Sequence, residues 1–283
     1  MPDQEVKQRR GWPPIVTSPQ GHLMIGGADA MDLVRRFGTP LYVLDEEAIR
    51  ARCRAYREAM GDAGVIAYAA KALCTQAVLR LMDQEGMWLD LVSGGELHTA
   101  LAAGFPPARV VFHGNNKSDE ELDLAVEVGV GRVAVDNFHE LERLGFLARR
   151  AGRRVRVLLR GAPGVAAHTH EFIRTGQQES KFGFDLTTGQ ALAALERTLQ
   201  EPYLEWCGFH CHIGSQILAV EPWEQAARIM MDLAAVARQR TGRVMEELDL
   251  GGGLGIRYVD GDEPPAIQEM VQRVRAAVAR AAR

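Results

Sequence analysis

Three features of this 283-residue chain could do chemistry: a lysine closing an apolar run, two histidines two residues apart, and three consecutive glycines. The lysine is Lys71, in "VIAYAAKALCTQAVLRL" over 65–81. Val65 to Ala70 read as a short buried strand, and the apolar spacing of Ala77, Val78, Leu81 and Met82 then reads as a helix. Lys71 therefore falls on a strand-to-helix turn, where α/β folds build the mouths of their sites and where a lysine can be desolvated into a nucleophile. The competing reading is a surface lysine with its head in water. On this stretch alone that second reading is the commoner outcome.

The histidines lie in "GFHCHIGSQ" over 208–216. On a strand His210 and His212 share one face and Cys211 takes the other. Three uses fit the spacing. One is half of a metal site. Another is a platform, with one imidazole stacked on a planar cofactor ring and Ser215 donating to an anionic group; the third is a buried pair satisfied by neighbouring carbonyls. A metal needs more ligands, and His168 and His170 stand in a long aperiodic segment, a poor rigid support. No metal site is expected through His210 and His212. The glycines are Gly251, Gly252 and Gly253 in "LDLGGGLGI", where missing side chains let backbone N–H groups wrap an anion. After a seventh strand, such a loop lies where barrels commonly hold phosphate. A dinucleotide has little support without the spaced-glycine fingerprint and its acidic partner. A phosphate monoester on an aromatic ring, with a partner lysine, describes pyridoxal 5′-phosphate, whose aldehyde condenses with a lysine amine.

Alternating short strands and amphipathic helices must position these groups. Strands are expected near 65–69, 87–91, 110–113, 132–135, 154–160, 204–210 and 244–249. Helices are expected near 74–85, 94–103, 118–128, 137–151, 187–199, 221–241 and 265–282. "SGGEL" and "SDEEL" place Ser93 and Ser118 as N-caps with Glu96 and Glu121 at capping-box spacing. Seven βα units are visible where a closed parallel barrel has eight, so either one unit hides in the first 64 residues or the chain stops one strand early. "PLYVLDEEAIRARCRAYREAM" reads as strand-like and then helical, and both possibilities stay open. Before it, "HLMIGGADA" suggests an extra strand and turn, and "MDLVRRFG" a short helix ended by Gly38. Residues 1–38 suit a small accessory domain. The long segment "GAPGVAAHTHEFIRTGQQESKFGF" lacks periodicity and suits a lid.

Composition bounds the rest. With 47% hydrophobic and 25% charged residues and a net charge of −4, the chain reads as an ordinary globular α/β protein with a sizeable core. Mild acidity without a basic stripe argues against nucleic acid, and the Arg149, Arg150, Arg153, Arg154, Arg156 cluster ends a helix without implying a partner. No apolar run reaches the roughly 18 residues of a membrane span, and "MPDQEVKQRRGWPP" lacks a signal-peptide core, so a cytoplasmic protein is expected. Cys53, Cys74, Cys207 and Cys211 show no framework spacing, and disulfides are not expected.

"YAAKA" around Lys71, "LDLVSGGEL" (89–97), "HGNNKS" (113–118), "HTHEFIRTGQQESKFGF" (168–184), "GFHCHIGSQ" (208–216) and "DLGGGLGI" (249–256) together resemble the diaminopimelate decarboxylases. These belong to the alanine-racemase-like, fold-type III pyridoxal-phosphate enzymes. The resemblance runs from about residue 38 to the end, six motifs in the family's order, and its lid motif is closer to diaminopimelate decarboxylase than to the ornithine or arginine decarboxylases. It implies a (β/α)8-type TIM barrel over 39–283, with 1–38 belonging to an otherwise missing β domain. It implies Lys71 as the Schiff-base lysine, His212 stacked on the pyridine, and Ser215 with Gly251, Gly252 and Gly253 around the phosphate. Asp90, Glu96 and Arg160 would line the same cavity, with Asp90 and Glu96 orienting Lys71 and His212.

The family's next elements are absent from the sequence. These are an eighth strand ending in Glu-Pro-Gly-Arg, whose glutamate pairs with the pyridine nitrogen, and a C-terminal β domain that completes the neighbouring subunit's site. The resemblance thus implies a barrel domain truncated before its last strand. For the full-length parent it implies decarboxylation of meso-2,6-diaminopimelate to L-lysine and CO2 by a homodimer. Two rivals stand beside it: another fold-type III decarboxylase or racemase acting on a basic amino acid, and a non-catalytic homologue that binds a partner.

Overall fold

A computed structural model describes residues 16–165 and 182–282. Most of the expected lid, with His168, His170 and Lys181, lies outside them. The described residues begin with β1 (Val16–Thr17), β2 (Leu23–Ile25) and β3 (Ala28–Asp29), an antiparallel sheet of its own. Helix α1 (Ala30–Phe37) follows, capped by Asp29 and ended at Gly38 in the positive-φ region, as "MDLVRRFG" predicts. The "PLYVL" stretch forms no strand. It runs into α2 (Glu46–Met60), whose N-cap Asp45 accepts from the Ala48 N–H at 3.1 Å.

The barrel elements then alternate: β4 (Ala67–Ala69), α3 (Gln76–Gln84), β5 (Trp88–Leu91), α4 (Gly94–Ala102), β6 (Val110–Phe112), α5 (Asp119–Val128), β7 (Arg132–Val135), α6 (Phe138–Ala151) and β8 (Val155–Ala162). After β8 come β9 (Phe184–Asp185), α7 (Gln190–Gln200), β10 (Leu204–His210), α8 (Glu221–Thr241), β11 (Glu247–Asp249) and α9 (Ile267–Ala281). Seven parallel strands pair in the order β11-β10-β8-β7-β6-β5-β4, with β9 beside β8. This is a curled, half-closed barrel. No strand of residues 16–64 joins it, so a unit hidden there is ruled out for those residues. Helix α9 packs on α2 and α8.

Side-chain alternation sorts each strand into an outer and an inner row. Leu89 and Leu91, Phe112, Val133 and Val135, and Val157 and Leu159 are wholly buried under the helices. The alternate positions Asp90, His113, Leu158, Arg160 and His210 face the barrel interior, where they line one cavity. Lower down, Val111, Leu158 and Cys207 form a small apolar cluster with Trp88. The helix starts follow the expected chemistry in part. Ser118 and Glu121 make a reciprocal capping box, whereas Ser93 caps the Glu96 N–H but the Glu96 carboxylate turns to the Val92 N–H at 2.6 Å. Four of the five clustered arginines bond other parts of the fold, Arg150 pairing with Asp123 and Arg156 with Glu246 among them.

Candidate functional site

The carboxyl ends of the parallel strands surround a cavity of about 2750 Å³. It exceeds the usual ligand pocket of roughly 300–1,000 Å³ because it runs down the barrel interior to Trp88, Arg132 and Glu247. Lys71 stands at the upper rim. The strand β4 ends at Ala69, Ala70–Ala72 turn as a single 3-10 unit, and the exposed lysine side chain lines the cavity. Its sequence-predicted place on a strand-to-helix turn is therefore where it stands.

Below it lies a layer of polar side chains. Asp90 on β5 is half-buried, and burial lifts its carboxyl to about 6, opposed by the charges of Lys71 and Arg160. Its Oδ1 has no hydrogen-bond partner. Arg160 on β8 is buried, 3.4 Å from Asp136 and stacked 4.4 Å above the Phe182 ring. His210 and His212 both line the cavity, as the two-residue spacing requires, although β10 ends at His210. Desolvation, with Lys71 and Arg160 nearby, pulls His212 down to about 3, so its imidazole is neutral. Burial holds His210 neutral as well, and its Nδ1 finds no partner.

The glycine loop is fixed by its fit to the 211–217 turn. At Gly251 (φ +68°) a Cβ would lie 2.7 Å from His212 Nδ1 and 2.8 Å from the Cys211 carbonyl, and at Gly253 (φ +105°) it would collide with the Gly214 carbonyl. Any side chain there would push the two turns apart. Hydrogen bonds zip them together: Cys211 N–H to Asp249 O at 2.8 Å, Ile217 N–H to Gly253 O at 2.9 Å and Gly255 N–H to Ile217 O at 2.9 Å. Gly252 faces open space, and Ser215 is exposed beside the loop. One expectation changes in detail. The Gly251 N–H donates to Asp249 Oδ1 at 2.8 Å and is thereby committed to the protein, leaving Gly252 as the open position of the cradle.

Glu96 is not brought into the cavity. Its carboxylate is held by the Val92 N–H at the first turn of α4, and Glu96 is absent from the lining. Two residues without an assigned role emerge instead. His113 projects from the end of β6, its ring 4.5 Å from that of His210, with Nε2 at 3.7 Å from Asp90 Oδ1 and 3.8 Å from Asp249 Oδ2. Inner-face alternation with Val111 would have found it. Lys117 is fully buried, donating to the Gly114 and Ala134 carbonyls at 2.7 and 2.9 Å and paired with Glu140 at 2.8 Å.

Residues 46–283 match the family described as pyridoxal-dependent decarboxylase, pyridoxal binding domain. The chain belongs to that family. It is 48% identical over 261 residues to the diaminopimelate decarboxylase of Bacillus subtilis (strain 168), covering 91% of this chain and 60% of that one. The crystal structure of diaminopimelate decarboxylase from M. jannaschi superposes with a TM-score of 0.87 at 34% identity, over 94% of this chain and 62% of the other. The Helicobacter pylori enzyme complexed with L-lysine superposes with a TM-score of 0.83 at 31% identity, over 89% and 63%. The chain thus spans about 60% of the length of the curated relatives it matches. Among the described residues no helix is long and apolar enough to cross a membrane.

Proposed function

We propose that this chain is the cofactor-binding domain of a diaminopimelate decarboxylase, which converts meso-2,6-diaminopimelate to L-lysine and CO2. The observation that carries this reading is the convergence of Lys71, His212 and the Gly251–Gly253 loop at one barrel mouth, in a chain 48% identical to such an enzyme. Lysine bound to a similar structure supports the product.

The residues fit pyridoxal phosphate. Gly252 offers room beside Ser215 for a phosphate, neutral His212 supplies an aromatic face, and Lys71 reaches the same space. When bound, the cofactor supplies the electron sink for carbon–carbon cleavage. The protein does the rest. Lys71 is the amine that would hold the cofactor covalently, and as a free amine it could carry a proton. Asp90 faces Lys71 and shares its charge balance. Arg160, held between Asp136 and Phe182, places a fixed cation beside the same cavity. Residues 1–38, whose sheet is separate from the barrel, are then the first piece of an accessory β domain, and 39–283 the cofactor domain. The full protein works as a cytoplasmic homodimer in this reading.

Borohydride reduction in the presence of pyridoxal phosphate, followed by peptide mass mapping, tests it: the pyridoxyl group belongs on Lys71. A label on Lys117 or Lys181 sinks the assignment. Labelled CO2 release from diaminopimelate, compared between this chain and one extended to the relatives' full length, tests the activity. Cofactor absorbance without lysine from the extended chain would favour a non-catalytic homologue.

A further inference from the structure

The glycine loop is pinned on both sides of its open position. Before it, the Gly251 N–H is held by Asp249 Oδ1. After it, the Gly253 carbonyl accepts the Ile217 N–H at 2.9 Å, and the Ile256 N–H donates to Gln216 Oε1 at 3.0 Å. Between these holds stands the Gly252–Gly253 peptide, with no Cβ on either side and open space around Gly252. Two glycines in succession allow such a peptide either of two opposite orientations. For an anion the difference is decisive, since one orientation presents an N–H and the other a carbonyl oxygen.

One side chain chooses between them. Among the described residues the Gly252 carbonyl accepts a single hydrogen bond, from the indole Nε1–H of Trp223 at 3.4 Å. Trp223 stands in the first turn of α8 and is 2% exposed. The bond is longer than the usual value of about 3.0 Å, and among the described residues the indole has no other acceptor. Burial alone does not supply an indole with a partner in this fold, because Trp206 Nε1 has none. The 252–253 peptide is trans, so its N–H lies opposite its carbonyl. With the carbonyl turned to Trp223, the Gly253 N–H is turned away from it. Among the described residues no protein group accepts that N–H. Ser215 is its neighbour: a Cβ on Gly253 would lie 3.4 Å from Ser215 Cα.

We propose that Trp223 is a positioning residue: its indole N–H holds the Gly252 carbonyl and so turns the Gly253 N–H toward an anion, the cofactor phosphate. The proposal rests on the phosphate role assigned to the loop in the functional reading. A flipped peptide would set a carbonyl oxygen before the anion and strand the indole donor in the core, two penalties that act together. The coupling also runs the other way. An anion on the Gly253 N–H polarises the peptide and makes its carbonyl a better acceptor, so phosphate at the loop tightens the Trp223 bond.

Phenylalanine keeps a packing ring and deletes the donor, so Trp223→Phe isolates the bond. With no ligand present, the Gly252 carbonyl carbon resonance should move upfield in Trp223→Phe while that of Gly253 stays in place; an unmoved Gly252 carbonyl overturns the proposal. In the wild-type chain, inorganic phosphate should shift the Trp223 indole proton downfield together with the Gly253 amide, along one saturation curve. Movement of neither, or of the amide alone, overturns it. Trp223→Phe should weaken pyridoxal phosphate about fivefold and leave pyridoxal, which lacks the phosphate, unchanged. Equal weakening of both, or of neither, reduces Trp223 to core packing and overturns it as well. The wild-type indole response decides the matter if the variant folds poorly. Failure of Lys71 labelling with that response intact would sink the functional reading and leave the Trp223 result standing; a labelled Lys71 with a silent indole would do the reverse.

Discussion

The two ends of the barrel interior handle charge in opposite ways. At the floor, Arg132 on β7 forks across to Glu247 on β11, with its Nε 2.7 Å from Oε2, and lies over the Trp88 ring. Arg156 binds Glu246 and Glu247 beside it. Each charge there has met its opposite. At the mouth, Asp90 Oδ1 and His210 Nδ1 are buried without partners, and burial holds three histidines neutral and lifts Asp90. Nearly all buried polar atoms of native proteins are bonded. Arg156 Nε at the floor also lacks a partner, but at the mouth the unpartnered atoms belong to cavity-lining groups whose titration burial has shifted, the combination that marks a site. The parallel strands end their carboxyl termini there, which is where barrels bind ligands.

Substitutions should separate the two ends. The largest effect expected is at Lys71: Lys71→Ala should abolish the borohydride-trapped pyridoxyl peptide, read by mass mapping. Stability should move by less than about 0.5 kcal/mol, because the side chain is exposed. A destabilised Lys71→Ala would blur the contrast. Next is the buried pair beneath the 113–117 loop. Lys117→Met strands Glu140 without its partner and should cost about 3–5 kcal/mol in urea unfolding, while Lys117→Met with Glu140→Leu should recover most of that.

Asp90→Asn should act the other way. Its folded pKa of about 6 lies above the ordinary carboxylate value, so ionising Asp90 opposes folding above pH 6. That opposition fades as pH falls from 6 toward 4 and is gone only near 3, where both states are protonated. The variant should therefore gain about 1–3 kcal/mol at pH 8 and nothing at pH 3, measured by thermal melts at each pH. An equal gain at both pH values would show that charge is not the cause. The smallest effect belongs to the floor. Glu247→Ala leaves the Arg132 guanidinium short of a partner that is one-third exposed, a loss of about 1–2 kcal/mol, with Lys71 labelling unchanged.

Much of this was legible in the chain itself. The periodicity placed seven strands and their helices within a few residues, because each amphipathic pattern matches the burial it receives in the barrel. "YAAKA" put Lys71 on its turn, and two-residue spacing put His210 and His212 on the cavity side. Three positions went differently for local reasons. "PLYVL" has strand composition but finds no neighbouring strand to pair with. Glu96 has capping spacing, yet its carboxylate serves the Val92 N–H, and the Gly251 amide serves Asp249 rather than open space.

The sequence by itself determined the element order, the strand-end lysine and the glycine run, since these depend on neighbours within a few residues. Only the tertiary structure decided which groups meet. His113 and Asp249 are 136 positions apart in the chain, and nothing in either segment announces the other. Curling of the sheet carries the ends of β6 and β11 toward one axis, and the exclusion of water from that axis turns ordinary histidines and aspartates into neutral, shifted or unpaired groups.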